Sequence, residues 1–118
     1  MSMVEMTMQV PDNLAQRLRR MTPWLPTVLE LGLAGFKTPA TQTVAEIIDF
    51  LSAGPSPAQV VEYSVSDRSQ ERLRRLLALN QAGLLSQEEH AELDEDEHIE
   101  HIMVLLKAQA RERSVGKN

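Results

Sequence analysis

The stretch Val4-Glu5-Met6-Thr7-Met8-Gln9-Val10-Pro11-Asp12-Asn13-Leu14 decides the fold. Val4, Met6, Met8 and Val10 alternate with Glu5, Thr7 and Gln9. In an extended chain that pattern puts apolar side chains on one face and polar ones on the other. Pro11 has no N–H to give to a sheet, and Asp12 belongs to the residue types that cap helices. The segment therefore reads as one short strand running straight into a helix. A lone strand leaves its backbone groups unpaired, so it requires a partner strand. The remaining chain reads as mostly helical, so the simplest partner is the same strand in a second copy. A homodimer paired through this ribbon is the first expectation.

Helical signals follow in order. In residues 13–21, Leu14, Leu18 and Met21 recur at spacings of four and three, which turns them inward and leaves Arg17, Arg19 and Arg20 to solvent. Thr22-Pro23-Trp24-Leu25-Pro26 breaks this helix, and Pro26 suits the first position of the next. That second helix, through Phe36, is apolar around most of its circumference, as expected of one buried on several sides or lying at a subunit interface. Trp24 reads as an anchor between the two helices. Lys37 to Gln42 is a linker, and Val44, Ile47, Ile48 and Leu51 mark a third helix over about 41–53, with Thr41 or Thr43 as its cap. Gly54-Pro55-Ser56-Pro57 stops it. Residues 59–65 stay ambiguous. They read either as one helical turn capped by Ser56, or as a second strand in which Val61, Tyr63 and Val65 alternate with Glu62 and Ser64.

The C-terminal half reads as an antiparallel helical hairpin. Its first helix begins at Ser66 or Asp67, carries Leu73, Leu76, Leu77 and Asn80 on one side, and ends at Gly83. Ser86-Gln87-Glu88-Glu89 is a capping box for a long helix to about Arg111. Leu93, Ile99, Ile102, Met103 and Leu106 give that helix its apolar side, and Ser114 to Asn118 reads as a frayed tail.

Composition narrows the function. Aromatics are 3%, so the core must be aliphatic and methionine-based. There are no cysteines, which removes disulfides, thiolate metal sites and a Cys nucleophile and fits a cytoplasmic location. No 18-residue apolar run is present, and the N-terminus lacks the pattern of a secretory signal. The net charge of −5 disfavours general nucleic-acid binding, so any DNA contact must come from a local basic patch.

Two constellations bear on chemistry. His90, Asp94, Glu97 and His101 share a helix face, and Glu95 and His98 form one Glu-x-x-His pair. A carboxylate-bridged di-metal site needs two such pairs and two further glutamates, so an acidic solvated face is the better reading, with no metal and no cofactor expected. Gly-x-Ser-x-Gly and the phosphate-binding glycine patterns are absent, and no enzyme is expected. In a ribbon entering the major groove, the outward residues are Glu5, Thr7 and Gln9. Gln9 suits adenine, Thr7 a thymine methyl or base edge, and Glu5 the amino group of cytosine. Arg17 and Arg20 would contact phosphates, and the amino end of the second helix near Thr27 would meet one through its free amides. The dimer interface would take Val4, Met6, Met8 and Val10 with Leu29 and Leu33.

Residues 4–36 resemble the ribbon-helix-helix family: an alternating strand, Val-Pro-Asp-Asn-Leu at the strand–helix junction, a short helix, a turn and a second helix. Across most of residues 4–111 the chain is also similar to small bacterial proteins of antitoxin-like organisation. The similarity lies in Leu25-Pro26-Thr27-Val28-Leu29-Glu30-Leu31-Gly32-Leu33, Phe50-Leu51-Ser52-Ala53-Gly54-Pro55-Ser56-Pro57, Asn80-Gln81-Ala82-Gly83-Leu84-Leu85-Ser86 and Glu97-His98-Ile99-Glu100-His101-Ile102-Met103-Val104-Leu105-Leu106-Lys107-Ala108. This resemblance implies an N-terminal dimer that binds its own promoter and a C-terminal segment that docks on a partner protein. The expected organisation is mainly α: a ribbon-helix-helix-like dimerisation unit over 1–37, a helix and Pro-rich linker over 38–58, and a partner-binding hairpin over 59–118. The expected role is transcriptional regulation by a DNA-binding homodimer. The alternative is a dimeric helical adaptor that binds protein only.

Overall fold

The computed structural model describes residues 2–115, and the chain there is mainly helical. The first helix, α1, spans Asp12–Arg20; a 3-10 turn at Thr22–Trp24 leads into α2, Leu25–Leu33. Then come α3 (Thr41–Ser52), α4 (Pro57–Glu62), α5 (Asp67–Gln81) and α6 (Gln87–Val115). The last residues of the expected frayed tail, Gly116 to Asn118, lie outside the described residues, whereas Ser114 and Val115 continue α6.

Local chemistry explains most boundaries. Ser56 accepts from the Gln59 amide at 3.2 Å while the Gln59 side chain accepts from the Ser56 amide at 2.8 Å. With Pro57 in the first turn, this box commits residues 57–62 to helix, so the ambiguity over 59–65 resolves toward helix, and Tyr63–Val65 form an irregular connection. Ser86 and Glu89 make the same reciprocal pair at the start of α6, at 3.0 and 3.1 Å. Gly83, at φ +70°, closes α5 as the sequence predicts. Two expected caps are not used. Asp12 lies inside the first turn of α1, where its charge suits the helix dipole, and Pro11 holds the cap position. Ala40, not Thr41 or Thr43, precedes α3, and its amide is satisfied by the Thr38 hydroxyl at 3.1 Å. The second helix ends at Leu33 rather than Phe36. Gly35 turns the chain at φ +75°, and Phe36 packs on His98 of α6 with ring centroids 5.3 Å apart.

One hydrophobic cluster runs through Trp24, Leu31, Val44, Ile47, Leu51, Val60, Ile99, Ile102 and Leu106. It draws on all three sequence segments, with α6 packing on α2, α4 and α5. Trp24, expected as an anchor between the first two helices, ties the turn that joins them to the α3–α4 connection. It is buried, its indole N–H donates to the Pro55 carbonyl at 2.9 Å, and the Arg113 guanidinium lies 5.8 Å from its ring. The hairpin is closed by Leu76 and Leu93 and by a bidentate pair from the Arg72 guanidinium to Glu92, both bonds 2.8 Å.

The expected N-terminal strand is absent: among the described residues there is no strand, and residues 2–10 belong to no regular element. The physical reason is pairing. A strand exists only against another strand, and the internal candidate at 61–65 is spent partly on α4. A single copy therefore offers residues 4–10 no edge. Among the described residues no helix is long and apolar enough to cross a membrane.

Candidate functional site

Two regions stand apart from the packed body. The first is the N-terminal unit. Val4 and Met6 are 81% and 83% exposed, and Met8 is 64% exposed; Val10 is half-buried where the chain joins α1. Leu33 is 84% exposed and Leu29 is also exposed. On α1 the apolar pair Leu14 and Leu18 is only half-buried, and no residue of the helix is fully covered. Every apolar residue expected at a dimer interface is thus at least partly open in the single chain. Glu5, Thr7, Gln9, Arg17 and Arg20 are exposed as well, and the α1 arginines make no salt bridge among the described residues. Thr27 is different. It is 7% exposed and faces the core side of α2, so its hydroxyl is not presented at the surface.

The second region is the carboxylate-rich first half of α6. His90, Asp94, Glu97 and His101 all point to solvent, and among the described residues no group of three or more His, Asp or Glu side chains is placed to hold a metal ion. The Glu95-x-x-His98 pair does structural work. Glu95 accepts from the Lys37 amide at 2.8 Å, the Thr38 amide at 3.0 Å and the Thr38 hydroxyl at 2.6 Å, while His98 supports Phe36. Together they latch the α2–α3 connection to α6. Burial opposes ionisation of Glu95, but the bonds from Thr38 and Lys37 outweigh it and hold the carboxyl below its ordinary value. Glu46 on α3 behaves alike. Burial is overcome by bonds from Ser69 and Ser66, fixing the start of α5.

Asp96 breaks this pattern. It has no hydrogen bond to a protein group among the described residues, and it is half-buried at the junction of α3, α5 and α6. Burial, and then the neighbouring Glu92 charge, push its carboxyl up to about 6, despite the opposing pull of Arg72. It lines a cleft of about 320 Å³. The walls beside it are apolar: Leu73 from α5, Val65 from the α4–α5 connection, and Ile99, Met103 and Val104 from α6. Four of the polar side chains around the rim are already committed. The Thr43 hydroxyl donates to Ser69, which donates to Glu46; the Gln70 amide donates to the Val65 carbonyl; and the Lys107 ammonium donates to the Tyr63 carbonyl. On its outer side Tyr63 stacks on Phe50 at 4.1 Å, and burial followed by the Glu46 and Asp49 charges raises its phenol.

Sequence reasoning weighed the acidic helix by its outer face and passed over Asp96. The signal was available: residues 92, 96, 99, 103, 106 and 110 step by four, three, four, three and four, so two carboxylates occupy the head of an inward stripe. Compared with known proteins, the chain matches no family model, no curated protein and no solved structure.

Proposed function

We propose that the protein is a homodimer in which residues 4–10 of two copies pair as an antiparallel ribbon, and that the dimer regulates transcription by binding DNA in the manner of an antitoxin. One observation carries the reading. A run of alternating apolar side chains, Val4, Met6 and Met8, lies exposed beside a polypeptide edge with no partner, followed by the exposed Leu29 and Leu33 of α2. Contiguous exposed apolar surface is costly for a monomer, and a second copy would cover it while pairing the backbone groups of residues 4–10 that water otherwise satisfies. In the paired ribbon Glu5, Thr7 and Gln9 face outward toward base edges. Arg17 and Arg20 are exposed and available to phosphates. Thr27 contributes through its backbone at most, its side chain being buried. Repression would follow from occupying an operator, with a partner protein on the α5–α6 hairpin modulating it.

The second reading, a dimeric helical adaptor that never touches DNA, is favoured by the net charge of −5 and by exposed Leu77, Leu84, Val104 and Leu105 on the hairpin. A mobility-shift assay on the DNA upstream of the coding region, at low and stated salt, separates the two. The DNA reading expects a sequence-specific shift that Thr7→Ala with Gln9→Ala abolishes. No shift at low salt, or a shift indifferent to that double substitution, leaves the adaptor.

A further inference from the structure

We propose that the cleft beside Asp96 is a binding site for a small organic cation, a compact apolar body carrying a protonated amine. The proposal stands apart from the ribbon, since no residue of the N-terminal unit lines the cleft. Its volume, about 320 Å³, lies at the small end of ligand sites. Most of its lining surface is apolar, with Val65, Leu73, Ile99, Met103 and Val104 set among polar groups at fixed points, as in small-molecule sites. What selects the charge is the state of those polar groups. Thr43, Ser69, Gln70 and Lys107 each have a protein partner, so none needs a ligand to complete it. Asp96 and Glu100 are the carboxylates that line the cleft, and neither has a hydrogen bond or salt bridge to a protein group among the described residues; two further carboxylates on the same helix, Glu92 and Glu95, work against the charge of the half-buried Asp96.

The neighbouring cation does not fill that role. Arg72 is turned to Glu92 through both its Nε and Nη2 atoms, and its guanidinium is held charged by that pair. Lys107 lines the same cleft but sits eleven residues further along α6, about 16 Å of helix rise away, and is tied to the Tyr63 carbonyl. Glu100, one turn from Asp96, adds negative charge to the intervening wall. An ammonium placed at Asp96 would give the carboxylate its missing counter-charge and hydrogen bond while the attached apolar body covers Ile99, Met103 and Leu73.

The test uses the intact protein and three probes of matched shape: 2-phenylethylamine, 2-phenylethanol and 3-phenylpropionate. Chemical shifts are followed by two-dimensional NMR on wild type and Asp96→Asn, an isosteric change that removes the charge without opening a cavity. The expected result is saturable, millimolar binding of the amine, with shifts centred on Val65, Gln70, Asp96 and Ile99. The alcohol should bind at least about tenfold more weakly, as for the loss of one charge-assisted bond, and the propionate should not bind. Asp96→Asn should weaken the amine by the same factor and leave the alcohol unchanged. Equal binding of the three probes, amine binding that survives Asp96→Asn, shifts centred elsewhere, or no saturation with any probe would each overturn the proposal.

Discussion

Asp96→Asn should make the protein more stable at neutral pH, and the gain should vanish in acid. In the folded chain the carboxyl titrates at about 6, against 3.8 for an unperturbed aspartate. A raised acid pKa means that the native state binds the proton more tightly than the unfolded state. The side chain therefore costs nothing below pH 4. Its penalty grows as pH rises through the interval from about 4 to about 6, and is complete above it. A shift of about two units corresponds to about 3 kcal/mol at most. Asp96 is only half-buried, and solvent screening reduces this to about 1.5 kcal/mol. Asparagine keeps the shape and drops the charge. Urea unfolding of both proteins at pH 4.0 and pH 7.5 gives the answer directly, because the contributions of Glu46 and Glu95, whose values are lowered, cancel in the difference between the two proteins. The variant should match the wild type at pH 4.0 and exceed it by about 1.5 kcal/mol at pH 7.5. A variant equal to or weaker than the wild type at pH 7.5 would show that the carboxylate has a partner in solution, and the reasoning about its environment would fail.

Three further outcomes test the packing. Gly54→Ala should destabilise the protein by about 2 kcal/mol or more in urea unfolding, because the residue sits at φ +72° and a Cβ there would lie 2.5 Å from the Arg20 carbonyl oxygen. Gly32→Ala should instead stabilise by about 0.8 kcal/mol, since it lies within α2 with no atom within 4 Å of the new methyl. Arg72→Ala leaves Glu92, 2% exposed, without its cation. The cost should be about 2 kcal/mol in urea unfolding, below the figure for a fully buried pair because the Arg72 side chain is 43% exposed.

The helices were legible because their signals are local. Spacings such as Val44–Ile47–Leu51 and Ile99–Ile102–Met103–Leu106 name the buried faces, and Ser86 with Glu89, or Gly83, name the ends. Where a signal depends on tertiary context the reading slipped. Whether Thr41 or Ala40 begins α3 rests on Thr38, which is held in turn by Glu95, 57 residues further on. Glu95 and His98 carry the letters of a metal motif, yet only the folded chain reveals that their partners are Thr38 and Phe36. The strand at 4–10 fails in the single chain for a different reason: alternation specifies which face is apolar, but the ladder needs a second edge. The cleft escapes a sequence reading because its polar key, Asp96, sits among five other acids within Glu92 to Glu100, and only the folded chain gives Glu92 and Glu95 partners, Arg72 and Thr38, and leaves Asp96 half-buried beside the cleft.

The claim on which the functional reading turns is that two copies pair through residues 4–10. Sedimentation velocity across micromolar concentrations tests it most directly, with the Val4→Ser, Met6→Ser, Met8→Ser triple variant run alongside. Pairing through this segment predicts a wild-type species of twice 13.3 kDa and a triple variant that sediments as the folded monomer. A wild type that stays monomeric throughout, or a triple variant that dimerises as well as the wild type, would contradict it.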